Sequence, residues 1–209
     1  VRKGPFDDSM TQQVQVFESE EFEGLKLMSI GYLKPGESLA LRGPMVSGIV
    51  QQILTSTGWG ELDYLVIDMP PGTGDIHLTI AQQAAIDGTI VVTTPQALSV
   101  VDVEKGIELF NKMKIPSIAL VENFSYFMCN KCDTKHELFG NSGEAQKIAK
   151  KFGIENVFQI PLNEISSSAI FTQLADSVVR EISKLKFSVE KVSVKTDEGM
   201  FTLFEGEKI

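Results

Sequence analysis

One stretch limits what this chain can fold into more than any other: Leu62-Asp63-Tyr64-Leu65-Val66-Ile67-Asp68-Met69-Pro70-Pro71-Gly72-Thr73-Gly74-Asp75. It is a short apolar run that ends in a carboxylate and then turns sharply. Leu65, Val66 and Ile67 do not alternate with polar residues, so the pattern predicts a strand buried on both faces, as in a parallel sheet. Asp68 then falls at the carboxyl end of that strand, where open α/β sheets hold their ligands. Gly72 and Gly74 let the backbone come close to a ligand and aim its N–H groups at an anion. Asp75 is placed to cap the next helix. A carboxylate for a metal beside bare amides for a phosphate is the makeup of a nucleotide-hydrolysing site. The plainer alternative is a strand-end aspartate leading into an ordinary capped turn.

The rest of the chain alternates in the same style. Residues Val1 to Glu23 are polar and without sustained periodicity, a loop or arm. Leu25 to Ile30 reads as a first short strand, and Arg42-Gly43-Pro44 leads into a helix that ends at Ser56-Thr57-Gly58. After the strand to Asp68, Ile76 to Ala85 is helical. Gly88 precedes a second buried strand, Thr89 to Thr94, closed by Pro95. Val101 to Met113 is a helix, Ser117 to Val121 a third strand, Gly143 to Phe152 a helix, Val157 to Ile160 a strand, and Phe171 to Leu185 the last helix. Strand, helix, strand, helix predicts an α/β fold with a doubly wound, mostly parallel sheet and helices on both faces. The tail differs: Val189 to Val194 and Met200 to Phe204 flank Asp197-Glu198-Gly199 and read as a β-hairpin. The expected organisation is therefore an arm (1–23), an α/β domain (24–186) and a hairpin (187–209) that starts a second, cut-off domain.

Charge and composition exclude several functions. Nineteen basic against 28 acidic residues leave a net charge of −9, which disfavours a nucleic-acid surface built from clustered Lys and Arg. The apolar runs are far too short to span a bilayer and no signal peptide is visible, so no membrane insertion is expected. The two cysteines form a single Cys129-Asn130-Lys131-Cys132 pair. A secreted disulfide scaffold normally carries more, so a reducing compartment is expected. Two thiolates at this spacing can ligate one metal centre, with Phe124, Tyr126, Phe127 and Met128 as an apolar shield. They could also join His136 in a zinc site, which needs a fourth ligand, or form a redox pair, although such pairs usually open a helix. Asn123 comes directly after a buried strand, where its amide can either pair with adenine or simply cap the strand end.

Val66 to Asp75 resembles the signature of the Mrp/ApbC-type P-loop ATPases, iron–sulfur cluster carriers of the MinD-like group. Arg42-Gly43-Pro44-Met45 and Trp59-Gly60-Glu61-Leu62-Asp63-Tyr64 are similar to the segments upstream of that signature in the family. Val121-Glu122-Asn123-Phe124-Ser125-Tyr126-Phe127 and Cys129-x-x-Cys132 resemble the family's segments downstream of it. The similarity runs from about Glu23 to Lys186. In a plastid-associated branch of the family a small β-containing domain begins at about the point where this tail begins.

The resemblance implies an ATP hydrolase with a P-loop NTPase fold. It makes Asp68 the catalytic, Walker B-type carboxylate that holds Mg2+ through a water. It makes Pro71, Gly72 and Gly74 the turn that senses the γ-phosphate, and it puts Asn123 and the segment at Pro161 against the base. It further implies a homodimer in which the Cys129 and Cys132 pairs of two copies hold a [4Fe-4S] cluster for delivery to apo iron–sulfur proteins. A positioning ATPase of the MinD/ParA kind and a zinc-binding interaction module without ATPase activity are the competing functions.

One family element is absent. A P-loop needs Gly-x-x-x-x-Gly-Lys-Ser/Thr, and the sequence has no Gly-Lys dipeptide. The expectation is a chain that lacks its N-terminal P-loop portion, and that alone neither binds ATP tightly nor hydrolyses it. The compartment is expected to be the cytoplasm, or a plastid or mitochondrial interior if a targeting segment lies upstream.

Overall fold

A computed structural model describes residues 16–33, 43–70, 72–139, 143–163, 167–187, 192–196 and 199–203. The chain divides into two compact units, Val1–Ala85 and Ile86–Ile209.

The first unit holds β1 (Phe17–Glu18), β2 (Lys26–Leu27), α1 (Ile30–Leu33), α2 (Gly43–Ser56) and α3 (Asp75–Gln83). β1 and β2 form an antiparallel ribbon, so the strand expected over Leu25 to Ile30 is shorter and does not open a parallel sheet. β1 also falls inside the stretch expected to be a loop. α2 ends where Ser56-Thr57-Gly58 predicted, and it packs against α3. The Lys26 ammonium donates to the Trp59 carbonyl at 2.6 Å, pinning the ribbon to the loop after α2.

The strand expected over Leu65 to Ile67 does not form. Val66 is 85% exposed, and Tyr64 and Leu65 are exposed as well. An apolar run becomes a strand only when a neighbour accepts and donates its backbone hydrogen bonds, and among the described residues none pairs with this segment.

The second unit carries the sheet. Its elements are β3 (Thr89–Thr93), α4 (Ala97–Lys112), β4 (Ser117–Glu122), β5 (Phe127–Met128), β6 (Lys135–His136), α5 (Gly143–Phe152), β7 (Val157–Gln159), α6 (Ser167–Phe187), β8 (Val192–Thr196) and β9 (Gly199–Leu203). β3, β4 and β7 run parallel with β4 central. β4 is the uninterrupted apolar run Ile118-Ala119-Leu120-Val121, buried on both faces as predicted. Leu120 meets Ile107 of α4 and Ala145, Ile148 and Ala149 of α5 in one core cluster. Ala119 and Val121 point the other way and are equally buried, beneath α6, which lies against β4 and β7. Helices thus cover both faces of a parallel sheet, the expected α/β architecture. Gly88 just before β3 is fixed by packing, because a Cβ there would sit 2.9 Å from Ile118 Cγ2.

β3 is less buried than its sequence predicted. Val91 packs against the core cluster, while Ile90 and Val92 on the opposite face are 39% and 59% exposed. On that face α6 lies against β4 and β7. The tail forms the antiparallel hairpin β8–β9; Asp197 and Glu198 of its turn lie outside the described residues.

Candidate functional site

Parallel strands end together, and here the ends are Thr93, Glu122 and Gln159. Past β4 the chain is held at each step. The Asn123 N–H donates to Thr93 O at 2.8 Å. Asn123 Oδ1 accepts the Phe124 N–H at 3.0 Å, and Phe124 takes a left-handed φ of 55°, which turns the chain. The Ser125 N–H then donates to Ile160 O at 2.9 Å, and the Leu162 N–H to Tyr126 O at 2.8 Å. Pro161 is buried between these two bonds. Asn123 and Pro161, which the family resemblance pairs at the base, are therefore brought to the same end of the sheet. Asn123 Oδ1 is already engaged with the backbone, the strand-capping role that the sequence left open.

From this seam the chain runs into β5, where Phe127 pairs with His136 and Met128 with Lys135. The cysteines occupy the loop at the tip of that hairpin. The Cys129 N–H donates to Thr134 O at 3.0 Å and the Asp133 N–H to Cys129 O at 2.9 Å. Asp133 has a φ of 51°. The Asn163 side-chain amide donates to Met128 O at 3.1 Å, tying the base of the hairpin to the segment after Pro161.

Both thiols are free, Cys129 half-buried and Cys132 exposed. Hydrogen bonds from the Thr134 side chain and backbone, and from the Cys129 thiol, hold the Cys132 thiol below its usual range. A depressed pKa means that the thiolate, the form that binds metal, persists to lower pH. Alkylation of Cys132 by iodoacetamide should accordingly reach half-maximal rate below the pH of about 8.5 typical of a free thiol. Thr134→Val should shift that midpoint upward and slow labelling at pH 7 a few-fold. Rates measured between pH 6 and 9 by mass spectrometry check both.

The first unit holds the other expected residues. Asp68 is exposed on the irregular segment after Tyr64 rather than at a strand end. Pro71 lies outside the described residues. Gly72 has a φ of +96°, a conformation that a side chain would strain, so the turn depends on that glycine. Gly74, not Asp75, is the N-cap of α3, and no side chain caps the helix. Asp75 instead begins the first turn, where its charge complements the helix dipole. His77 is buried, with Nδ1 unpartnered among the described residues.

Sequence reasoning missed a polar cluster under the turn. Glu122 is 0% exposed, and its Oε2 accepts from Ser125 Oγ at 2.5 Å and from Gln159 Nε2 at 2.9 Å. The available signal was a lone carboxylate closing the apolar run of β4.

Among the described residues no three His, Cys, Asp or Glu side chains gather into a metal site. His136 sits exposed on β6 with its ring 6.5 Å from that of Phe127, and among the described residues it forms no group of three with the cysteines. α6 mixes Asp176 and Glu181 with Arg180, Lys184 and Lys186, unlike the basic helix of a membrane-positioning ATPase. No described helix is long and apolar enough to cross a membrane.

A family model described as ParA: NUBPL iron-transfer P-loop NTPase matches residues 5–191. The chain belongs to that family. The iron–sulfur cluster carrier protein of Methanocaldococcus jannaschii is 45% identical to this NUBPL-family chain over 184 residues, which are 84% of the chain and 63% of that relative. The chloroplastic Fe-S cluster assembly factor HCF101 of Oryza sativa subsp. japonica is 45% identical over 158 residues, 76% of the chain and 29% of the rice protein. The NUBPL-family chain thus spans less than two thirds of either relative. A nucleotide-binding protein from Archaeoglobus fulgidus, solved in complex with ADP, superimposes with a TM-score of 0.62 at 34% identity, covering 84% of this chain and 65% of that one. The resemblance to iron–sulfur-carrying P-loop ATPases read from the motifs holds, and so does the parallel α/β fold.

Proposed function

We propose that the full-length protein is an ATP-dependent carrier that binds a [4Fe-4S] cluster as cargo between two copies of the chain and transfers it to apo iron–sulfur proteins. The observation that carries this reading is the pair of free thiols, Cys129 and Cys132, displayed at the tip of a hydrogen-bonded hairpin with the Cys132 thiolate favoured. A [4Fe-4S] cluster takes four cysteines and the chain offers two; a symmetric dimer supplies the rest. An exposed loop suits cargo that must leave.

In the same reading Asp68 holds Mg2+, which would help neutralise the phosphates of bound ATP. Magnesium keeps most of its waters and needs only one or two carboxylates besides the phosphates, so a lone exposed aspartate suits it. Pro71, Gly72 and Gly74 form the phosphate-reading turn, and Asn123 and the Pro161 segment flank the base. The 209 residues alone, without a Gly-Lys dipeptide, neither bind ATP tightly nor hydrolyse it; hydrolysis belongs to the full-length chain. The compartment is a reducing one, and the chloroplastic name of the rice relative favours a plastid interior over the cytoplasm or a mitochondrion.

Anaerobic reconstitution of the full-length protein with iron and sulfide tests the proposal. The expected product holds about four iron and four sulfide per two chains, elutes as a dimer, and activates an apo acceptor at a rate that ATP alters. A loaded species that stays monomeric overturns the shared-cluster arrangement.

A further inference from the structure

We infer that Glu122 is the positioning residue that couples the base-side turn at Asn123 to the cysteine hairpin, so that the nucleotide and cargo ends of this unit shift together. The inference rests on the carrier reading and deepens it.

Every other residue in the core of β4, from Ile118 to Val121, is apolar and buried. An apolar side chain at position 122 would extend that core, and a buried polar group is retained at a cost unless its hydrogen bonds define something. Those of Glu122 do. One oxygen, Oε2, receives Ser125 Oγ from the turn after β4 and Gln159 Nε2 from the last residue of β7. It therefore clamps the two segments that flank the candidate base site. The backbone continues the same seam: Ile160 N–H to Glu122 O at 2.9 Å, Ser125 N–H to Ile160 O at 2.9 Å, and Leu162 N–H to Tyr126 O at 2.8 Å. Asn163 then reaches Met128 O at 3.1 Å, immediately before Cys129. These bonds join the turn that follows Asn123 to the segment that reaches Met128, the residue before the first cysteine, and Glu122 is the side chain that grips both that turn and β7. Its second oxygen, Oε1, has no partner among the described residues, so the carboxylate gives its whole hold to the seam through Oε2.

The test uses the full-length protein loaded anaerobically with its cluster. Transfer to an apo acceptor is timed with and without ATP, alongside iron content, the visible spectrum and ADP affinity. In Glu122→Gln the ratio of the two transfer rates should move toward one by about threefold to thirtyfold, more than iron content or ADP affinity changes. Ser125→Ala, which removes one of the two donors, should move the ratio the same way by less and serves if the first variant fails to fold. A ratio that stays at the wild-type value in a folded variant, even with a lowered melting temperature, overturns the inference and leaves Glu122 merely structural. If wild-type transfer itself ignores ATP, the carrier reading loses its nucleotide coupling, and the wild-type control reports that failure separately.

Discussion

Alanine at both Cys129 and Cys132 should abolish the iron, the sulfide and the broad visible band that anaerobic reconstitution introduces into the full-length protein. The loss should be complete for a chemical reason. The sequence has no third cysteine, and among the described residues no group of His, Asp or Glu stands ready to replace the pair. Cys132→Ala alone leaves one thiolate per chain, two per dimer, and half of a four-thiolate set; its loading should be nearly as poor. Thr134→Val keeps both sulfurs and removes only a hydrogen bond that favours the thiolate, so it should still load, more slowly at low pH. Iron and sulfide analysis, with zinc measured in parallel, decides the matter. Zinc bound at the pair with no visible band overturns the carrier reading.

Leu120→Ala should be the most damaging single core change, destabilising the second unit by about 2–5 kcal/mol. Leu120 is fully buried at the centre of the central strand and touches the cluster formed by α4 and α5. Truncation leaves a cavity between three elements that cannot all close in. Leu120→Met conserves volume and should cost less than about 1.5 kcal/mol. Urea titrations monitored by far-UV circular dichroism compare the two; equal midpoints for Leu120→Ala and wild type would contradict this packing.

The parts of this structure that can be read from sequence are those whose stability is local or whose burial is total. The bounds of α5 at Gly143 and Phe152 are legible because Ala145, Ile148 and Ala149 recur at helical spacing and all face the core. β4 is legible because an unbroken apolar run buried on both faces has no other comfortable place. Leu65 to Ile67 carries a similar signal and forms no strand, since a ladder is a property of two segments and composition reports one. Asp75 has the chemistry of a cap for α3, but Gly74 already supplies the extended backbone that a cap position needs. The β5–β6 hairpin is invisible in the sequence because each strand is two residues long, too short to show a period. Its site residues stand out through Cys-x-x-Cys spacing, which depends on chemistry and not on secondary structure. Glu122 is only one letter of a motif until the fold is known; its role requires that Gln159, far along the chain, ends the adjacent strand.

The loop at the hairpin tip is closed by its own backbone, through Cys129, Asp133 and Thr134. Many small metal-binding folds melt when emptied, since the ion is their main staple. A loop closed by its own backbone resembles a socket more than a clasp. In the carrier reading proposed above, each round of filling would begin from a ready-made mould, and discharge would not require the loop to unravel.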